Sequence, residues 1–205
     1  MNPLEKRVIE ISFKNKLSHI GSCLCTVNTL DQIYKIRKKD EPIILSNGHA
    51  GLALYVVLEK YGYGNAEELW RQHGTHPNRD LEDGIYASTG SLGHGIGIAV
   101  GMALVNPNRL VYVLMSDGEC AEGSVWEALR IARDNKLENL RVAVIANGFS
   151  AYDRVDIDDL DTRIVNFYPT MVIKTHLFSL PDFMQGLNGH YCVLDQQRYE
   201  EIMKT

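Results

Sequence analysis

The 205-residue sequence contains no apolar run that approaches the length of a membrane span, and no surplus of positive charge. Its net charge of −5, from 21 Lys and Arg against 26 Asp and Glu, argues against a general nucleic-acid surface, which needs concentrated basic patches. The one local basic run, residues 35–39 (KIRKK), reads as the solvated end of a helix. The N-terminus, MNPLEKRVIEISFKNK, lacks the charged-then-apolar order of a secretory signal. Cysteine is scarce too: Cys23, Cys25, Cys120 and Cys192 form no CxxC pair and have no histidine at zinc spacing. They are expected as reduced, mostly buried thiols of a cytosolic protein. There is no internal repeat and no Pro/Ser-rich linker, so residues 1–205 are expected to form one domain around one sizeable core.

What is present is ordinary in bulk, 45% apolar and 23% charged, and informative in one stretch. A β-branched apolar run at 110–115 (LVYVLM) stops abruptly at Ser116-Asp117-Gly118-Glu119. A helical pattern follows, then a second apolar run at 141–146 (RVAVIA) that stops at Asn147-Gly148. This is a βαβ unit whose two parallel strands each end in a polar residue followed by glycine. Ligands of open α/β sheets sit beyond the carboxyl ends of the strands. The anionic oxygen of Asp117 and the neutral amide oxygen of Asn147 therefore meet at a ligand edge, where glycine lets a phosphate approach the backbone. Asp117 is also a good helix N-cap; its pairing with Asn147 favours a Mg²⁺–diphosphate site.

Along the rest of the chain, residues 3–15 suit a helix with Leu4, Val8, Ile9 and Ile11 on its apolar face. A Ser-His-Ile-Gly-Ser turn at 18–22 interrupts it, and 29–38 reads as helical again. Strands are expected at 43–45, 111–115, 141–146 and 170–174, and helices at 50–61, 65–71 and 196–204, with a polar loop at 73–84. Residues 90–103 form a glycine-rich apolar helix able to approach a neighbouring backbone or cofactor closely. The aspartates of 153–161 mark a loop. This alternation predicts a doubly wound, mainly parallel sheet with helices on both faces.

The Asp117-Gly118 pair with Asn147 thirty positions on resembles the thiamine diphosphate (ThDP) signature, GDG followed by about thirty residues and an Asn. DGECAEGSVWEAL and NGFSAYDRVD are similar to the transketolase phrasing DGE-x-x-EG-x-x-WEA and NG-x-x-x-D. Further blocks follow the same family in order: Ser18-His19-Ile20-Gly21-Ser22, Leu45-Ser46-Asn47-Gly48-His49 before LALY, HGTHP at 73–77, and the 88–95 block STGSLGHG. Gly189-His190 and QRYEEIM at 197–203 complete the series. The first glycine of the signature is Ser116 here, a change at a position that does not bind the metal.

The resemblance implies a ThDP-binding fold of the diphosphate-binding type, trimmed near its C-terminus. Asp117, Asn147 and the Phe149 carbonyl would hold Mg²⁺ (or Ca²⁺ or Mn²⁺), and Gly118 and Glu119 would offer backbone N–H groups to the diphosphate. His49 and His190 would donate to diphosphate or substrate, His19 and His76 would face substrate, and Gly90 and Leu92 would line the bent cofactor. His190 thus carries both a cofactor and a catalytic expectation. Glu122 would sit at a subunit interface; His94 occupies a place that is often Gln, and His73 and His176 are expected to be structural or solvent-facing. The carboxylate that activates the aminopyrimidine belongs, in the family, to a pyrimidine-binding domain for which this sequence has no counterpart. The expected protein is therefore the N-terminal subunit of a split transketolase, working with a C-terminal partner and a second copy of itself on sugar phosphates, with neither nucleic acid nor membrane as partner. Alternatives are a deoxyxylulose-phosphate-synthase-like or 2-oxoacid-decarboxylating subunit, or a non-catalytic ThDP-binding module.

Overall fold

The four apolar runs form one parallel sheet, β1 (Ile43–Leu45), β2 (Val111–Ser116), β3 (Leu140–Ala146) and β4 (Thr170–Lys174), side by side in chain order. The computed structural model describes residues 1–150, 153–175 and 180–204; the expectation for His176 lies outside them. Register sets Leu45 beside Leu114 and Ser116 beside Ile145, so the polar ends of β2 and β3 lie together. Side chains alternate between faces along each strand. Ile43, Leu45, Tyr112, Leu114, Ala143 and Ile145 point into one core; Ile44, Val111, Val113, Met115, Val142 and Val144 point into the other.

Both faces are covered by helices. The first core is closed by α1 (Pro3–Asn15), α2 (Ile20–Ile36), α3 (Gly51–Lys60) and α4 (Ala66–His73), and by residues of the 180–202 segment. The second is closed by α5 (His94–Val105), α6 (Gly123–Asp134) and α7 (Ile157–Phe167). The 180–202 segment carries α8 (Gly186–Tyr191) and α9 (Gln196–Ile202). Local chemistry starts these helices where it can. Asn2 and Glu5 form a capping box around Pro3, and the Asn65 side chain accepts from Glu67 N and Glu68 N.

Three sequence expectations are corrected. The second helix starts at Ile20, not at 29: the Ser-His-Ile-Gly-Ser segment is its first turn, entered through His19 in the left-handed region (φ 63°). Gly21 lies inside that helix because a Cβ there would come within 3.2 Å of the Gly189 carbonyl oxygen of α8. The glycine-rich helix begins at His94 rather than 90, since Gly90 (φ 143°) and Gly93 (φ 76°) hold a loop ahead of it. The acidic segment is not all loop. Asp156 caps α7 through Asp158 N at 3.1 Å and Asp159 N at 3.0 Å, and the acids of the first turn complement the helix dipole. A helix therefore fills most of the stretch before β4, part of which the sequence marked as loop.

The far end of α5 is tied to the sheet by one side chain. Asn139, 7% exposed, donates through Nδ2 to the carbonyls of Ala103, Asn106 and Arg109, each at 3.0–3.1 Å. Asn139→Ala leaves these carbonyls short of a donor and should lower unfolding free energy by about 1–3 kcal/mol. Urea denaturation measures this; an unchanged midpoint would show that the carbonyls find other donors.

Candidate functional site

Beyond the carboxyl ends of β2 and β3 lies a cavity of ≈ 270 Å³. Strand ends supply Ser116, Asp117, Gly118, Asn147 and Phe149; the start of α2, the turn after β1 and α8 supply His19, His49 and His190. Asp117 is 2% exposed, with one carboxylate oxygen accepting from Gly148 N at 2.7 Å and the other from Gly118 N at 3.0 Å. Burial pushes its carboxyl up to about 6, against these two N–H bonds. Among the described residues no cationic side chain pairs with it. Asn147 Oδ1 accepts from Phe149 N at 2.9 Å, which folds the 147–149 turn and keeps a second lone pair available. The buried Cys25 thiol sits against the Asn147 and Thr175 side chains, and burial pushes it up to about 11.

These residues fit a divalent cation and a diphosphate. A desolvated carboxylate without a cation, an amide oxygen and a backbone carbonyl form a hard-oxygen donor set. No Lys or Arg occurs among the described lining residues, so a bound diphosphate would need its countercharge from a metal ion. Ser116 stands where a glycine was expected; its φ is not positive, and its Oγ accepts from Glu119 N at 3.3 Å. The Glu119 and Gly118 N–H groups are thus both engaged locally, Gly118 N with Asp117.

Glu119 does something its sequence position did not announce. It is fully buried and does not line the cavity. One oxygen accepts from Ser46 Oγ at 2.6 Å and Gly93 N at 3.0 Å, and the other from Ser116 N at 3.0 Å. The carboxylate thereby holds the ends of β1 and β2 and the loop before α5 in register. Behind it, Gly48 and Gly90 bring two loops together: a Cβ on Gly48 would lie 2.7 Å from Gly90 N.

His19, His49 and His190 form a ring cluster, with centroids 4.4 Å apart for His19–His190 and 5.6 Å for the other two pairs. Burial lowers His19 to about 4, helped by His190 and His76, and lowers His49 to about 3, helped by His19, His190 and His76. Burial lowers His190 as well. The cluster is neutral at physiological pH. Ser18 Oγ lies 2.8 Å from His19 Nδ1, and among the described residues Nε2 has no hydrogen-bond partner.

Of the expected site residues, His19, His49, Gly90, Leu92, Asp117, Gly118, Asn147, Phe149 and His190 line the cavity. His76 lies just outside, its ring where a Gly90 side chain would be. Glu122 and His94 are exposed, Glu122 at the start of α6 and His94 at the start of α5. His73 is buried and paired with Asp83 at 2.8 Å; with Asp80 these make a compact group of metal-capable atoms away from the cavity. Sequence reading missed Thr175, Gln185 and Leu187 in the lining. Thr175 follows β4, so the strand-end rule that found Asp117 and Asn147 applied to it as well.

Comparison with known proteins agrees with this geometry. Residues 26–168 match the family model "Transketolase, thiamine diphosphate binding domain". The chain is 38% identical over 161 residues to a subunit of the apulose-4-phosphate transketolase of Phocaeicola vulgatus, covering 68% of this chain and 56% of that protein. It is 32% identical over 210 residues to 6-deoxy-6-sulfo-D-fructose transketolase subunit SqwG of Clostridium sp., covering 92% of this chain and 73% of that one. Transketolase from Campylobacter jejuni superposes with a TM-score of 0.74 at 20% identity, over 100% of this chain and 43% of its own. The chain spans little more than half the length of the first of these relatives. With the family model matched over most of its length, the chain belongs to the transketolase thiamine diphosphate-binding domain family.

Proposed function

We propose that this chain is the diphosphate-binding subunit of a split transketolase, transferring a two-carbon ketol unit from a ketose to an aldose with a partner subunit. The buried, unpaired Asp117 carboxylate beside Asn147 at the ends of adjacent strands carries this reading. Two relatives are named transketolase subunits, which supports both the reaction and the division into subunits. When bound, ThDP supplies the carbon–carbon cleavage and transfer. Asp117, Asn147 Oδ1 and the Phe149 carbonyl hold Mg²⁺ (Ca²⁺ or Mn²⁺ fit the same donors), and the ion neutralises the diphosphate. Leu92 and Gly90 give the cofactor an apolar, close-fitting wall.

The neutral histidines take the substrate side. His49 and His190 each offer one N–H and one lone pair, and His19 offers Nε2, so the cluster binds sugar hydroxyls without charge, with His76 beside it. Among the described residues the lining carries no Lys or Arg, so a substrate's terminal phosphate falls to the partner. The outer side of α5 supports association: Ile98, Leu104 and Val105 are 36%, 43% and 87% exposed, on a helix without Lys, Arg, Asp or Glu. On this reading a homodimer inside an α₂β₂ assembly covers α5 and the Glu122 end of α6. Cytosolic placement belongs to the same reading, in keeping with four free, buried thiols.

Three outcomes test it. Asp117→Asn in the chain with its partner removes the anionic metal ligand and should weaken ThDP·Mg²⁺ binding by about a hundredfold in calorimetry. It also sets an amide NH₂ against one of the two N–H groups that Asp117 accepts from, so the thermal midpoint of the ligand-free chain is measured beside it to separate lost folding from lost metal binding. Wild-type cofactor affinity in this variant would exclude Asp117 as the ligand.

The purified chain with ThDP and Mg²⁺ should transfer nothing between xylulose 5-phosphate and ribose 5-phosphate until the partner is added. Sustained turnover by the chain alone would refute the split-enzyme reading.

The histidines also link stability to pH. In the unfolded chain they titrate near about 6.5, whereas in the fold His19 and His49 are held at about 4 and about 3. The unfolded state then binds more protons below about pH 6.5, so their contribution is complete above that pH and is lost as pH falls toward the folded values. Asp117, raised to about 6, acts in the opposite direction, so the comparison that isolates the histidine is wild type against His49→Gln. Urea midpoints from about pH 7.5 to about pH 4.5 should fall more steeply in the wild type. Parallel curves would show that His49 is not held neutral.

A further inference from the structure

The loop between α4 and the turn at 90–93 is held by its own main chain and a few short side chains. Asp80 and Ile85 exchange both backbone hydrogen bonds, at 2.9 and 2.7 Å. Nearer its base, Thr89 N donates to the Pro77 carbonyl at 3.2 Å and Arg79 N to Ser88 Oγ at 2.8 Å. Gly84 closes the 80–85 turn in the left-handed region (φ 77°), where a Cβ would meet the Tyr63 ring at 2.8 Å. Within the turn, Asp80 Oδ1 accepts from Glu82 N at 3.0 Å and from Asp83 N at 3.3 Å. The backbone thus fixes where Asp80 and Asp83 stand.

Against this turn α4 presents its last residue. The His73 side chain is 4% exposed, and its Nε2 lies 2.8 Å from Asp83 Oδ2, which also accepts from Gln72 Nε2 at 3.0 Å. The imidazole nitrogen and one carboxylate oxygen each from Asp80 and Asp83 all lie within 4.8 Å of one another. Among the described residues, Asp80 Oδ2 and Asp83 Oδ1 have no hydrogen-bond partner. Neither acid pairs with a Lys or Arg there, although Arg79 is adjacent in sequence. Two carboxylates at this range repel one another. The carboxyl end of α4 adds the negative pole of a helix dipole at the same place, which favours a cation.

We propose that His73, Asp80 and Asp83 bind one divalent transition-metal ion of the Zn²⁺ class, with water completing its coordination. One imidazole nitrogen and two carboxylate oxygens are a donor set that such ions take in preference to Mg²⁺, which avoids nitrogen. Zn²⁺ holds these ligands at about 2.0–2.2 Å, so in a tetrahedral site the ligand atoms stand roughly 3.4 Å apart. Atoms already within 4.8 Å reach that spacing by side-chain rotation, with the backbone of the turn unmoved. The ion takes the place of the Nε2 proton now donated to Asp83, and that proton passes to solvent. None of the three residues lines the cofactor cavity, so this ion is distinct from the one beside Asp117. Its effect is to join the end of α4 to the 80–85 turn. That braces the loop that carries His76 near its start and Gly90 at its end, where the His76 ring lies against Gly90.

The test titrates Zn²⁺ into the full chain with Mg²⁺ and ThDP present and follows backbone amide NMR shifts. The readout is at residues 72–86 and involves no activity, so it stands whether or not the cofactor reading does. An equimolar amount of Zn²⁺ should shift these residues, and at about a hundred times its Kd it should raise the thermal midpoint by about 5 °C. Asp80→Asn keeps an oxygen for the Glu82 and Asp83 N–H groups and so keeps the turn, but removes the anionic ligand. It should weaken Zn²⁺ binding by about tenfold or more and remove most of the thermal rise. His73→Gln, which exchanges the imidazole for an amide, should do the same. The histidine cluster and Asp117 are the rival takers of the ion. Shifts confined to residues around 19, 49, 117 and 190 would overturn the proposal, as would a Zn²⁺ affinity left unmoved by Asp80→Asn, or no response at 72–86.

Discussion

Burying the Glu119 carboxylate is the constraint on which the cofactor cavity depends. A buried carboxylate is costly unless each oxygen is satisfied, and here the donors come from three separate places: Ser46 at the end of β1, Gly93 before α5, and Ser116 at the end of β2. The bond to Ser46 spans 73 positions and the one to Gly93 spans 26. Satisfying one anion therefore brings together the turn that carries His49, the loop that carries Gly90 and Leu92, and the strand end that carries Asp117. The site residues are presented by loops, but those loops converge on one buried group.

Much of the scaffold was legible in the sequence because its signals are local. The strands β1, β2 and β3 are each a short apolar run closed by polar residues and a glycine, and all four expected runs are strands of the sheet. The apolar face of residues 4–11 likewise marked α1. Errors came where local rules compete with tertiary contact. Gly21 reads as a helix breaker, yet α2 requires it because α8 approaches that face closely. The aspartates at 158 and 159 are poor helix formers in a helix interior, but in a first turn behind the Asp156 cap they are favourable.

The cofactor site divides in the same way. Asp117 and Asn147 were legible from strand ends alone, and the histidines from blocks resembling a known family. The side chain of Glu119 was not, because its partners are brought near only by the sheet. Gln185 and Leu187 were not either: they reach the cavity through α8, whose position follows from packing of α8 on α2 rather than from any periodicity of its own.

Charge distribution carries the last step. Among the described residues the cavity holds the buried Asp117 carboxylate and neutral histidines, with no Lys or Arg. A diphosphate alone would be repelled by Asp117, and a divalent cation alone would lack ligands on its open side. Together they would satisfy each other, and on the proposed reading the cavity takes the pair, with the metal as countercharge. The same neutrality suits the histidines to a sugar: a protonated cluster would attract free anions in place of hydroxyls, and burial prevents that protonation. A phosphate carried by the substrate finds no cation on this wall, so on the proposed reading recognition is divided, with this chain reading the hydroxyls near the reacting carbon and the partner reading the charged end. On the same proposed reading, the exposed apolar side of α5, which runs from the loop that lines the cofactor cavity, is a surface suited to association.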